Sequence, residues 1–151
     1  MNIDDKEVLA ILRRSMVARI ATLSRNGRPS INPLYFISRR GKIWLGTDDW
    51  TLAARNVRAD SRVCLLLTME KDLDDLRVLR IRGQARIKTD EKILRSYNLR
   101  VVFKYILSLA GIRNALAHNH QVPLKLTYNA QGAEKGRPCV IEFAPEQAEF
   151  L

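Results

Sequence analysis

The sequence predicts a mainly β domain with flanking helices, an α+β chain whose strands close into a small barrel. Three observations lead there. Short runs of strand-forming residues recur through the middle of the chain, separated by tight turn signals at Asn26-Gly27 and Arg40-Gly41. Residues 77–88 alternate cleanly, with Leu79, Ile81, Gly83, Ala85 and Ile87 on one face and Arg80, Arg82, Gln84, Arg86 and Lys88 on the other. Closing such strands into a barrel removes the exposed edges that several short antiparallel strands would otherwise leave.

The elements follow in order. Asp4 to Glu7 reads as a helix start, with an Asp to accept from the free amides of the first turn and Glu7 three residues after Asp4. Val8, Leu9, Ile11 and Leu12 then form an apolar stripe, which gives a short helix over about residues 4–14. Residues 17–23 are rich in small and β-branched side chains and make the first strand. Asn26-Gly27 turns the chain into a return strand at 30–37. Arg39-Arg40-Gly41 makes a second turn and residues 42–47 a third strand. Asp48 or Asp49 caps a short helix through 51–58. Residues 62–69, the most apolar run, form a central strand, and 77–88 the alternating one. Residues 90–117 read as helical with a break at Gly111, 119–136 as loop, and 138–144 as a last strand with Cys139, Ile141 and Phe143 on one face.

A length of 151 residues fits one domain, 1–151, and 46% hydrophobic residues suffice for a core without staples. Cys64 and Cys139 sit in apolar runs far apart, and no CxxC spacing exists; both read as buried thiols. The first residues lack the apolar stretch of a signal peptide, and no run is long enough to span a bilayer, so a cytoplasmic protein with no membrane role is expected. The net charge of +10 favours anionic partners. Its cations are scattered along the chain and show no basic–aromatic interleaving, so nucleic acid is not expected as a partner. Nothing resembles a nucleophile–base pair, so hydrolysis is not expected. His118 and His120, two apart with no carboxylate or thiol near in sequence, make a poor metal motif, and a surface loop is the plainer reading.

Residues 16–88 carry an ordered set of motifs: the small-residue strand 18–23, then Asn26-Gly27-Arg28-Pro29, the strand 31–36, Gly41 to Thr47, Arg55-Asn56-Val57-Arg58-Ala59-Asp60-Ser61-Arg62-Val63, and Leu79 to Ala85. This order resembles the flavin-binding split β-barrels of the pyridoxamine 5'-phosphate oxidase-like superfamily, and the tail 139–145 is similar to that family's closing strand. The segment from about 90 to 118 stands out as a helical insertion.

The resemblance implies a homodimer with cofactor sites at the subunit interface, holding FMN or the deazaflavin F420. By position, Asn32, Pro33 and Leu34 would line the ring. Trp44, Leu45 and Thr47 would lie beside the ring and ribityl chain, and Trp50 could stack on it. Thr51 and Arg55 would hold the phosphate on the helix N-terminus, with Arg80 or Arg82 of the partner strand as further cations. One departure is plain: Leu52 and Ala53 stand where FMN-binding members often carry a basic pair. The bland readings are core or interface packing for the tryptophans and a solvated face for the arginines. Pro33 marks an edge, a bulge or a ligand approach, the last two being favoured. The resemblance thus implies a flavin- or deazaflavin-dependent oxidoreductase that transfers hydride to or from a small substrate. The alternative is a non-catalytic relative binding a flavin, haem or another ligand.

Overall fold

A computed structural model describes residues 2–69, 75–106 and 136–151. Six antiparallel strands close in the order β1-β2-β3-β6-β5-β4. They are β1 (Val17–Leu23), β2 (Pro29–Arg39), β3 (Lys42–Asp48), β4 (Arg62–Thr68), β5 (Val78–Lys88) and β6 (Pro138–Phe150). The helices are α1 (Lys6–Arg14), α2 (Leu52–Ala59) and α3 (Glu91–Val101), the last running into a π-helical turn over Val102–Ile106.

The local chemistry explains most of these bounds. Gly27 takes φ 76° in the β1–β2 hairpin, a conformation that costs a side-chain-bearing residue and costs glycine little. In the β2–β3 turn, Arg40 and Gly41 both take positive φ, 50° and 71°, as a two-residue hairpin with the right twist demands. β6 runs past the expected end at Ala144 as far as Phe150, because a bulge absorbs Pro145. Arg82 pairs with Gln147 and Gly83 with Pro145, leaving Glu146 as the extra residue. Gly83 fits there because a Cβ would overlap the Ala144 carbonyl.

Some expected details differ. The α1 cap is Asp5 rather than Asp4, and its carboxylate accepts from the Asn2 amide at 3.0 Å, not from the first turn. Thr51, not Asp48 or Asp49, caps α2 and accepts from the Ala54 amide. β4 is no more central than its neighbours, since it lies between β1 and β5 in a closed barrel. Cys139 is buried as expected, but Cys64 points outward from β4 and is only half-buried. Of the expected helix over 90–117, residues 91–106 are helical; its remainder with Gly111, like His118, His120 and almost all of the expected 119–136 loop, lies outside the described residues.

The barrel interior is filled by alternate residues such as Ile20, Phe36, Leu45, Leu65, Ile81 and Phe143, with α1 adding Val8, Ile11 and Leu12. A second cluster lies outside the barrel wall. There α3 sets Ile93, Leu94, Tyr97 and Val101 on Ile37, Trp44 and Val140. Burial of these large side chains is the main stabilising term, roughly 1.5–3 kcal/mol for each fully buried one.

Candidate functional site

The barrel wall is split between β2 and β3. β2 pairs with β1 from Pro29 to Tyr35 but meets β3 only from Phe36 to Arg39. Residues 29–35 therefore have a strand on one side only. Pro33 tolerates this position because it has no N–H to offer a second ladder. It is an edge residue with no bulge in the β1–β2 register, so of its three readings the edge holds and the bulge does not.

Along this edge Ser30, Asn32 and Leu34 share the inner side of β2. Leu34 packs against the core. Ser30 joins a polar triangle: its hydroxyl lies 3.0 Å from that of Thr22, and the Asn56 amide nitrogen donates to both, at 3.1 and 3.0 Å. Asn56 is a polar residue on the buried face of α2 beside Ala53 and Val57, and that pattern was the signal in the sequence for a tie to the hairpin. Asn32 differs from its neighbours. Its Oδ1 is buried with no hydrogen-bond partner among the described residues. A buried acceptor left unpaired costs about 1–3 kcal/mol, so this atom is where a donor from a ligand would be rewarded.

The other wall is the end of β3 with the start of α2. Thr47 and Thr51 lie with hydroxyls 2.9 Å apart. Thr51 Oγ1 donates to the Asp48 carbonyl at 2.9 Å and accepts from the Ala54 amide at 3.3 Å. A hydroxyl has one proton, so Thr47 is the donor of the pair and Thr51 has none left for a phosphate in this arrangement. Burial, then the neighbouring Asp49, pushes the Asp48 carboxyl up from its ordinary range. Leu52 is exposed and Ala53 buried, so neither supplies a polar contact. Arg55 is exposed and has no side-chain partner among the described residues, which makes it the cation of α2 free to meet an anion. Arg58 is not, since it donates to the Asp49 carbonyl at 2.8 Å.

The remaining expected site residues scatter. Leu45 is fully buried inside the barrel, so its side chain lines no groove. Trp44 points the opposite way, beneath α3, where Arg39 lies over its ring at 5.5 Å and its indole N–H is buried without a partner among the described residues. α3 covers this tryptophan, whose ring lies in the cluster outside the barrel wall. Trp50 is 45% exposed in the β3–α2 loop, against Gly136. Arg80 and Arg82 stand on the outer face of β5, both paired with Glu149. Asn32 and Leu34 thus lie on the free edge of β2, and Thr47 and Thr51 at the end of β3 and the cap of α2, with Arg55 exposed on that helix. The structure leaves Trp44 and Leu45 out, and Arg80 and Arg82 on another face.

Sequence reasoning missed Tyr97, which closes one end of the split. Its hydroxyl donates to the Tyr35 carbonyl at 3.2 Å and takes a hydrogen bond from the Gly46 amide. Burial, more than anything else, pushes this phenol up to about 12.

A flavin-like ring fits the ring end of this site. The free edge of β2 and the orphaned Asn32 acceptor suit a planar group with a ring N–H. The phosphate end is thinner, with Arg55 and the first amides of α2 as its donors from this chain.

The sequence matches the pyridoxamine 5'-phosphate oxidase family over residues 4–151. Among solved structures, a conserved hypothetical protein of Mycobacterium tuberculosis, Rv2991, superposes with a TM-score of 0.72 at 20% identity, over 97% of this chain and 83% of that one. A Listeria innocua protein assigned to pyridoxamine 5'-phosphate oxidase gives 0.65 at 18% identity, over 96% and 95%. An F420 reductase gives 0.64 at 19% identity, over 93% and 94%. At such identities the likeness shows the fold alone. No curated protein matches the sequence. The family match spans nearly the whole chain and agrees with the split six-stranded barrel; the protein belongs to the pyridoxamine 5'-phosphate oxidase family.

Proposed function

We propose that the chain binds a flavin or deazaflavin, FMN or F420, at the β2 split and serves as an oxidoreductase. The observation that carries this reading is the buried, unpartnered Asn32 Oδ1 on a strand edge that no other strand covers. Asn32 accepts a ring N–H, Leu34 supplies an apolar surface, and Arg55 holds the phosphate, with the Thr47 oxygen as an acceptor for a hydroxyl of the tail. The bound ring supplies hydride transfer to or from a small substrate; the protein orients it and keeps water from one face. That an F420 reductase shares the fold is consistent with the deazaflavin option.

The protein works as a homodimer in this reading. The outer face of β1, β2 and β4 carries Ile31, 61% exposed, and Tyr35, 51% exposed, beside Ala21 and Leu66. An apolar patch of this kind on a sheet marks an interaction surface.

A second reading is a carrier without catalysis, for a flavin, haem or another ligand. It is favoured by the engaged Thr51 hydroxyl and by Leu52 and Ala53 in place of cations. A titration of the purified protein with FMN and with F420, followed by absorbance and fluorescence quenching, tests both. Saturable micromolar binding with turnover of a reductant supports the oxidoreductase. Binding without turnover supports the carrier, and no binding of either ligand removes the flavin reading.

A further inference from the structure

The cations that look scattered along the sequence are partly gathered by the fold around α3. The inner side of this helix is spent on Ile37, Trp44 and Val140. Its opposite side carries Lys92 and Arg95 in the first turns, then Leu99, Val102 and, just beyond the helix, Phe103. Leu99 and Phe103 are each 59% exposed and Val102 37%. Arg100 is exposed beside them. The barrel adds Arg39, whose guanidinium donates to the Ser96 hydroxyl at 3.1 Å and so stands against the helix. Further along the same wall, Lys42 and Arg86 share one carboxylate, Glu142. Asp90 and Glu91 are the acids at the start of α3, and the Asp90 carboxylate accepts from the Lys92 amide.

Large apolar side chains in water beside a cluster of cations are costly unless something covers them. Three kinds of partner differ in what they would do with this pattern. A phosphate backbone would use the cations, but of the three apolar side chains only Phe103 can stack on a base, which leaves Leu99 and Val102 uncovered. A second copy of the same face would cover the apolar residues, but an isologous contact would bring Lys92, Arg95 and Arg100 of both copies close together. A leaflet of anionic phospholipid uses both features at once, since the aliphatic and aromatic side chains enter the acyl boundary while the cations meet the headgroups.

We infer that the outer face of α3 and the turn after it form a peripheral docking surface for anionic phospholipid membranes. Leu99, Val102 and Phe103 are the inserting side chains. Lys92, Arg95 and Arg100 are the electrostatic contacts. The association lies in the interface plane and needs no spanning segment; among the described residues no helix is long and apolar enough to cross a bilayer. It does not depend on the flavin reading, because none of these side chains is among those placed at the β2 split.

Co-sedimentation of the full chain with vesicles tests it. One set is phosphatidylcholine alone and the other equal parts phosphatidylcholine and phosphatidylglycerol. The protein is expected to sediment with the mixed vesicles and to stay in solution with phosphatidylcholine. Raising the salt should release it, because the headgroup attraction is screened within a Debye length. Each removed cation should weaken binding about fivefold, from roughly 1 kcal/mol per Lys or Arg near the surface, so Lys92→Gln with Arg95→Gln loses well over tenfold. Leu99→Ser with Phe103→Ser should abolish sedimentation with an unchanged circular dichroism spectrum, since both side chains are exposed. Three results overturn the inference: no sedimentation with either vesicle, equal sedimentation with both, or retention by the Leu99/Phe103 variant. A loss of self-association in that variant, seen by analytical ultracentrifugation while vesicle binding is absent throughout, would assign the face to a second copy instead.

Discussion

The hydroxyl of Tyr97 bridges the Tyr35 carbonyl on β2 and the Gly46 amide on β3, where the two strands separate. It replaces the next ladder bond. Gly46 is what allows this, because a Cβ there would overlap the Tyr97 ring. α3 is thus joined to the split and is not simply laid on the barrel.

Removing the hydroxyl with Tyr97→Phe leaves a buried carbonyl and amide unpaired and should destabilise the fold by about 1–3 kcal/mol. Gly46→Ala should cost a similar amount, roughly 1–3 kcal/mol of overpacking. The double variant should cost less than the sum, since both act on one contact. Urea denaturation of the four proteins checks this, and strict additivity would contradict it.

Glu142 is a buried carboxylate in an unusual place, the outer wall of a barrel. Burial pushes its carboxyl up, but hydrogen bonds from Arg86 and Lys42 prevail and hold it below the ordinary range. A folded pKa below the unfolded one contributes stability above the unfolded pKa, and that contribution is lost as the pH falls through the folded one. Glu142→Gln should therefore destabilise at pH 7 by about 1–2 kcal/mol. The difference from wild type should shrink as the pH drops below 4.5, the ordinary value for Glu. Thermal melts at stepped pH measure it, and a constant difference would contradict the assignment.

Lys104 holds its ammonium on the carbonyls of Leu12 and Phe36, at 3.3 and 3.2 Å, with the Phe36 ring at 3.6 Å. Those contacts favour the charge, yet burial outweighs them and pulls the amine down to about 8. A base depressed in the fold makes stability rise with pH from the folded value toward 10.5, because the unfolded chain then binds more protons. Cys139 works in the opposite direction: burial pushes its thiol up to about 11, so its contribution is lost above the ordinary value of 9. The prediction is thus a difference. Between pH 8 and 9 the wild type should gain stability relative to Lys104→Met, on the order of 1 kcal/mol. Parallel urea curves at the two pH values decide it, and curves that keep the same separation would count against a depressed Lys104.

Much of this fold was legible because local signals agreed with one another. Asn26-Gly27 gave the hairpin, and the alternation through Leu79, Ile81 and Ala85 gave the core face of β5. The end of β6 was hidden by Pro145, since a bulge that rescues a proline depends on Gly83, a residue distant in sequence. The α2 cap was hidden among three adjacent candidates, Asp48, Asp49 and Thr51, and only the backbone direction chooses among them. Asn32 falls on the free edge of β2, but strand alternation separates Trp44 from Leu45 and sends neither to that edge. Tyr97 carried no signal, because its role exists only once α3 meets two strands encoded far earlier in the chain.

The central claim is that the free edge of β2 holds a flavin-like ring through Asn32. Titration of FMN and F420 into wild type, Asn32→Ala and Arg55→Gln tests it most directly. The account predicts saturable binding to wild type for one of the two. Asn32→Ala should lose roughly tenfold or more in affinity, for a hydrogen bond of about 1.5 kcal/mol, and should unfold at a urea concentration no lower than that of wild type, because its Oδ1 has no described partner to lose. Arg55→Gln should weaken binding of the phosphate-bearing ligand more than that of riboflavin. Equal affinity of wild type and Asn32→Ala for whichever ligand binds would contradict the placement of the ring, and no binding at all would contradict the flavin reading itself.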